Sequence, residues 1–477
     1  MRPLSEQFEV LGYWFLPERP SHKVAGTLSY SPQRTELRLM QSFQPFPQGF
    51  MQPLVECPTI HGITEKGEPV TILWAVRDKV SMNFGGAALL NPETWLCPLT
   101  VYGAHLDHEA TLPEMRCRLP GLHIWQSKKL VERTHEAGKD SGPQSTNYRV
   151  LGMPSETIQI VSDDLSVDWF VEQTTSMGKF DVSVRSAGWF GIRPSTPQTI
   201  KWYLEQQQKI ITLLTFLAGT PMSPDALTVP TSRPGVYASL LFTRHDIRYC
   251  DYRNLDDFFM SRGAMGGELS DILIKWFKVY PEVATPSQLA MSVSGSEKLW
   301  QHVEFLSWMQ ALEGFHRGLL DGVYMDPKDY EAVKSALGSA IPATVQPPHR
   351  ESLRSRIRYG NEISLAKRLN ELADRLPESV RLQVLGPDGK IPRAWIDTRN
   401  YYTHWDEELR PNVLDGQEIL HANHRMSLFL KALYLDLTGV PSSATSSALS
   451  GSSKDAQWLM QINARDRAKK AAEKPPA

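Results

Sequence analysis

The chain has 477 residues, a formal net charge of −2 and 22% charged residues. That length exceeds one ordinary hydrophobic core, so two or three domains are expected. The near-neutral balance excludes a global basic field for nucleic acid, and any such contact has to come from a local patch. Cys57, Cys97, Cys117 and Cys250 form no C-x-x-C pair and are too few for a disulfide framework. A reducing, cytoplasmic setting is expected. The start, MRPLSEQFEV, has no signal pattern, and the greasiest run, IITLLTFLAG (210–219), is far shorter than a membrane helix.

The N-terminal part reads as strands. FEVLGYWFL (8–16), KVAGTLSY (23–30), TELRLM (35–40), VTILWAV (70–76) and WLCPLTVYGAHL (95–106) are short runs separated by turn signals such as SPQR and LNPET. In the second run Val24, Gly26, Leu28 and Tyr30 alternate with other residues, the period of a half-buried strand. TIQIVS (157–162) and FDVSVRS (180–186) continue the pattern. Such strands predict an antiparallel sandwich or barrel over residues 1–195. A helix is expected to open at Thr196 and Pro197 and to stop at Gly219, leading a mixed helical connector over 196–290.

From 291 the periodicity is helical. EKLWQHVEFLSWMQALEGFHRGLL (297–320) spaces Leu299, Val303, Leu306, Met309 and Leu312 three or four apart. LAKRLNELADRL (365–376) and AWIDTRNYYTHWDEEL (394–409) follow, the latter stopped by Pro411. GQEILHANHRMSLFLKALYLDL (416–437) is closed by Gly439 and Pro441. Together they predict an all-α bundle over 291–440, and an α+β chain overall. SSATSSALSGSS predicts a flexible linker, so 441–477 reads as a flexible tail with a short amphipathic piece at Trp458, Leu459 and Ile462.

Within the third bundle helix, RNYYTH (399–404) sets Arg399 five residues before His404. Spacing alone is weak: composition gives about one R-x4-H by chance. Arg118 and His123 are a second instance, in a strand-rich stretch broken by proline and glycine. Arg399 differs by lying on a predicted helix with Asn400 next to it. Five residues turn about 140° around a helix, so the two side chains meet only in a groove at its edge. A second copy across a two-fold axis would bring another pair to that groove. The residue types fit RNA cleavage by attack of the 2′-hydroxyl on the adjacent phosphate. Histidine takes or returns a proton near neutrality. Arginine stays charged, and its planar fork meets the charge that builds on phosphorus. Asn400 would orient the phosphate or the ring. The alternative leaves Arg399 paired with Asp406 or Glu407 and His404 capping a carbonyl.

RNYYTH, on the penultimate helix of a C-terminal bundle, resembles the R-N-x-x-x-H form of the R-x4–6-H motif of HEPN ribonucleases. The helix with LEGFHRGLL (312–320) resembles the opening helix of the ApeA-like branch of that superfamily. GYWFLPE (12–18) and VAGTLSY (24–30) resemble the domain ahead of the HEPN module in ApeA-type anti-phage proteins. The resemblance implies a metal-independent, cofactor-free, homodimeric endoribonuclease of abortive-infection defence, released by a phage-derived trigger. It carries the catalytic pair to Arg399 and His404, the polar second residue to Asn400, and an acidic residue of an earlier helix to Glu313. Tyr402 and His424 are expected to support the groove.

Arg354, Arg356, Arg358, Lys367 and Arg368 form a cluster able to track an RNA backbone, or a solvated helix face. His105 with His108, and His421 with His424, have no third ligand at metal-site spacing, so no metal is expected. Tyr13, Trp14, Trp74 and Trp95 read as core rather than a binding face. No G-x-G-x-x-G, P-loop or G-x-S-x-G is present. Two functional readings remain: an anti-phage endoribonuclease, or a non-catalytic dimeric sensor whose β-rich half binds a ligand or phage protein.

Overall fold

The computed structural model describes residues 1–44, 55–80, 92–126, 128–137, 143–179, 181–243, 252–296 and 298–472, so Cys250 lies outside it. The chain forms two compact units. The first comprises Met1–Gly263, Glu268–Phe277 and Gly295–Glu297; the second comprises Ala264–Gly267, Lys278–Ser294 and Lys298–Ala477.

The β-rich unit begins with β1 (Phe8–Phe15), β2 (Val24–Tyr30), β3 (Thr35–Leu39), β4 (Glu56–Thr64), β5 (Pro69–Val80) and β6 (Glu93–Leu96). On β2 the expected alternation holds: Val24, Gly26, Leu28 and Tyr30 are buried and the residues between them half-buried. These six strands close into a barrel in the order β5-β4-β1-β2-β3-β6, with β6 pairing back to β5. Closure depends on a bend in β5. Its first part, Val70–Leu73, pairs with β7 (Leu99–Tyr102), and its end, from Val76, pairs with β6. The change of partner falls at Trp74, whose backbone is left-handed at φ 57°. Opposite Trp74 the β4 ladder skips Pro58, which has no N–H to give.

Trp14 is the centre of the barrel core, with Leu28, Leu37, Ile60, Ile72 and Trp95 around it. Its indole N–H donates to the Gly26 carbonyl at 3.2 Å. The ring lies flat against Gly62, where a Cβ would stand 2.3 Å from a ring carbon. Of the four aromatics read as core, Trp14 and Trp95 are fully buried, Trp74 is half-buried, and Tyr13 points to solvent. Burial pushes the Cys57 thiol up to about 11 and raises Cys97 as well, which keeps both as inert thiols.

The sheet continues through β8 (Met115–Leu119), β9 (Glu156–Ile160), β10 (Leu165–Met177), β11 (Val182–Pro194), β12 (Ala226–Pro230) and β13 (Tyr237–Phe242). The order from the far edge is β9-β10-β11-β8-β12-β13-β7 and then β5, with antiparallel neighbours throughout. Strands β12 and β13 lie in the stretch expected as a connector, so the β-rich unit runs on to Gly263. Helix α1 (Ile200–Ala218) opens later than expected: Thr199, not Thr196, is the cap, accepting from the Trp202 N–H. It stops where expected, at left-handed Gly219. Helix α2 (Leu269–Gly295) was not visible in the sequence because Pro281 and Pro286 lie inside it. Both read as breakers.

The helical unit contains α3 (Gln301–Leu319), α4 (Pro327–Ser339), α5 (Pro347–Arg358), α6 (Leu365–Arg375), α7 (Glu378–Leu385), α8 (Arg393–His404) and α9 (Gly416–Thr438). Helix α3 packs on α6, α8 and α9. Phe305, Leu312 and Phe315 from α3 and Met426, Phe429 and Leu433 from α9 are buried. Phe315 meets Tyr434 edge to face at 5.0 Å.

The segment 441–472 is not the flexible tail that its Ser/Gly composition suggests, and 473–477 lie outside the described residues. It forms α10 (Ser442–Leu449) and α11 (Lys454–Ala472). Two cations buried on α9 explain why. Arg425 is held by Asp466 at 2.6 Å and Asn463 at 2.7 Å, and Lys431 by Asp455 at 2.6 Å. A buried charge needs its partner, and the partners come from α11. Leu459 and Ile462 are buried as well. His424, expected at a groove, faces the same helix: its Nε2–H donates to the Asp455 carbonyl at 2.9 Å, and its ring lies 4.1 Å from that of Trp458.

Two outcomes follow. Gly62→Ala forces a methyl into the Trp14 ring and is expected to cost about 1–3 kcal/mol, read as a lower urea midpoint. Burial lowers the His424 pKa to about 4. In the unfolded chain the ring takes its proton near ~6.5. Its neutral burial therefore stabilises the fold fully above ~6.5, and that contribution is lost as pH falls towards 4, by roughly 3 kcal/mol at the limit. The thermal midpoint should drop over that window, and His424→Gln, which keeps an N–H for Asp455, should flatten the drop.

Candidate active site

One turn of helix α8, Trp395, Ile396, Asp397 and Thr398, is buried. The two polar members of that turn tie down the chain that follows. Asp397 accepts from Arg393 Nε at 2.9 Å and from Asn412 Nδ2 at 3.4 Å, and Thr398 Oγ1 accepts from the Leu414 N–H at 2.9 Å. This return path stops α8 at His404 rather than at 409: Trp405 is left-handed at φ 53°, and residues 407–412 form a 3-10 turn. His404 is thus the last helical residue, and it is exposed. Among the described residues no side chain hydrogen-bonds its ring.

Arg399 lies on the same helix and is 28% exposed. Its Nη1 donates to Asn400 Oδ1 at 3.2 Å. Its charge partner is Glu313 on α3, with Nη2 3.8 Å from Oε2. It pairs with neither Asp406 nor Glu407: Glu407 holds Arg410 at 3.1 Å, and Asp406 accepts from the Glu408 N–H. A 3.8 Å pair lies beyond hydrogen-bond reach, so it orients the guanidinium while leaving N–H donors open.

Behind Glu313 runs a chain of charges. Glu313 also accepts from Arg317 Nε at 3.1 Å, and Arg317 reaches Glu362 at 2.9 Å. Arg368 lies 3.5 Å from Glu362 and donates to the Gly322 carbonyl at 3.2 Å and to His316 Nδ1 at 3.1 Å. Because His316 Nδ1 accepts, its proton is on Nε2 and is given to Glu371 at 2.8 Å. His316 is fully buried. Sequence reasoning missed Arg317, although its place four residues after Glu313 in LEGFHRGLL is an ion-pair spacing.

The other expected residues fall as follows. Tyr402 stacks on His302 at 5.5 Å, with Tyr401 edge-on at 5.3 Å and Trp405 beyond it. Arg354, Arg356, Arg358 and Lys367 are exposed. Arg368 is 2% exposed and held inside the bundle through both Nη atoms, so it leaves the cluster proposed to track a nucleic-acid backbone. His424 is the second correction, buried under α11. Arg118 is held by Asp225 at 2.7 Å on β8, and His123 sits on a separate helical turn, Leu122–Trp125. His105 and His108 are bonded to the Gly62 carbonyl and to Thr59.

Two protein-family models match the chain: ApeA N-terminal domain 1 over residues 9–276, and Apea-like HEPN over residues 306–444. Comparison with curated proteins gives no match, and comparison with solved structures gives none. Arg399, His404 and Glu313 all fall within the second match. HEPN domains are generally ribonucleases, and this type marks a nuclease-type protein of anti-phage defence. No helix of the described residues is long and apolar enough to cross a membrane. With its first match covering more than half of its length, the chain belongs to the ApeA-like family of HEPN proteins.

Proposed function

We propose that this protein is a metal-independent endoribonuclease that cuts RNA through its own 2′-hydroxyl, and that it acts from the cytoplasm in abortive-infection defence. The observation that carries the reading is the end of α8. An exposed imidazole at His404 terminates the helix, and the Arg399 guanidinium on the same helix is bonded by Asn400 beside it and faced by Glu313 of α3.

The reaction needs little else. The 2′-oxygen forms a bond to phosphorus and loses its proton to a histidine. The bond from phosphorus to the 5′-oxygen breaks, and that oxygen takes a proton from a second acid. The products are a 2′,3′-cyclic phosphate and a 5′-hydroxyl. Arg399 stabilises the doubly charged phosphorane, and Asn400 keeps its fork in place. A homodimer supplies the second acid as the second copy's imidazole, so one ring takes the proton while the other returns it. Trp300 and Trp405, 78% and 69% exposed, are large rings of the kind that dimer contacts cover. The exposed Arg354, Arg356, Arg358 and Lys367 supply backbone contacts. A phage-derived trigger acting on the β-rich unit completes the proposal. The competing reading is a non-catalytic sensor that uses the same bundle only to dimerise. The open donors of Arg399 favour the enzyme.

Purified protein incubated with total RNA in EDTA should produce discrete fragments. Arg399→Ala and His404→Ala should each lower the rate by about 100-fold or more, with folding intact. Fragments that persist in both variants would remove this site from the reaction.

A further inference from the structure

Within the helical unit, the later part of α2 and helix α3 enclose an open groove of about 790 Å³. A backbone feature makes it. Pro286 has no N–H for the Glu282 carbonyl four residues earlier. That carbonyl leans onto Gly318, where a Cβ would stand 2.0 Å away, and Pro286 itself rests 3.4 Å from the position of a Gly314 Cβ. The two helices therefore touch along a glycine face, and the groove opens beside it. Its walls carry Gln288, Ser292 and Gln310, with Pro286 and Leu289 as the apolar part. Gln288, Ser292 and Gln310 are exposed and make no hydrogen bond to another side chain among the described residues.

The groove borders the charge cluster that contacts the motif. Glu313 and Arg317 both line it, and Glu313 is the residue that holds Arg399. Arg317 is 48% exposed and is aimed by Glu313 and Glu362. From this juxtaposition we infer that the groove receives the nucleotide next to the scissile phosphate of a single-stranded RNA. Arg317 takes the neighbouring phosphate, and the amides of Gln288 and Gln310 contact the base edge. The inference rests on the ribonuclease reading and adds a specificity site to it. The volume suits one nucleotide. Amides offer both donor and acceptor, as base edges require, while Pro286 and Leu289 provide an apolar surface for the base face. A base can enter only unpaired, since a duplex hides its pairing edge.

The test has two arms. In a His404→Ala background, binding of a fluorescent, unstructured RNA decamer is followed by anisotropy. Ser292→Trp, which fills the groove, and the double change Gln288→Ala with Gln310→Ala should each weaken binding about fivefold or more, for two lost hydrogen bonds. In the His404-containing protein, sequencing of cut ends should show the nucleotide preference beside the cut flattened by the double change. Circular dichroism confirms folding. Unchanged affinity together with unchanged preference overturns the groove assignment alone, provided that cutting depends on Arg399 and His404. Cutting indifferent to those two residues, or no RNA binding by the parent protein, overturns the ribonuclease reading and the groove with it.

Discussion

One carboxylate organises the site. Glu313 faces Arg399 across helices at 3.8 Å and Arg317 along its own helix at 3.1 Å. Two guanidinium groups would repel each other at close range, and a shared carboxylate lets both stay near and charged. Both are partly exposed, at 28% and 48%, so solvent screens the cluster and its value lies in orientation more than in stability. The stable part lies behind it. Buried Arg368 and His316 are joined by a hydrogen bond, His316 passes on to the half-exposed Glu371, and that chain holds α6 against α3. The exposed pair is thereby set on a rigid support, the arrangement that the proposed catalysis needs.

The same logic explains why the bundle does not stop at α9. Arg425 and Lys431 are buried there at 5% and 8% exposure. Their anionic partners, Asp466 and Asp455, belong to α11, so the C-terminal segment is part of the bundle. The cost of an unpaired buried cation is large, and its removal is what docks an otherwise polar helix.

Much of this was legible in the sequence. The strand period of β2, the stop at Gly219, the bundle helices and the placement of Arg399, Asn400 and His404 on one helix are local features, written in spacing and punctuation. Glu313 was reached only by resemblance, because the contact to Arg399 joins residues 86 positions apart by number, 399 − 313. Other features were hidden for stated reasons. Helix α2 contains two prolines that normally end helices. The Ser-rich stretch before α11 has a linker's composition, yet it is fixed by charges elsewhere in the chain. Arg368 and His424 look like surface cations in one dimension, and only packing shows them buried. Composition reports what a residue can do, whereas burial decides whether it can do it.

The account turns on whether the substrate's own 2′-hydroxyl is the nucleophile. The most direct measurement uses a short RNA with a mapped cut, remade with a single 2′-deoxy nucleotide on the 5′ side of that cut, and reads the product ends by mass spectrometry. The account predicts that the all-ribose strand yields a 2′,3′-cyclic phosphate and a 5′-hydroxyl and that the substituted strand stays whole at that position. Cleavage of the substituted strand at an undiminished rate, or a 5′-phosphate on the product, would contradict it.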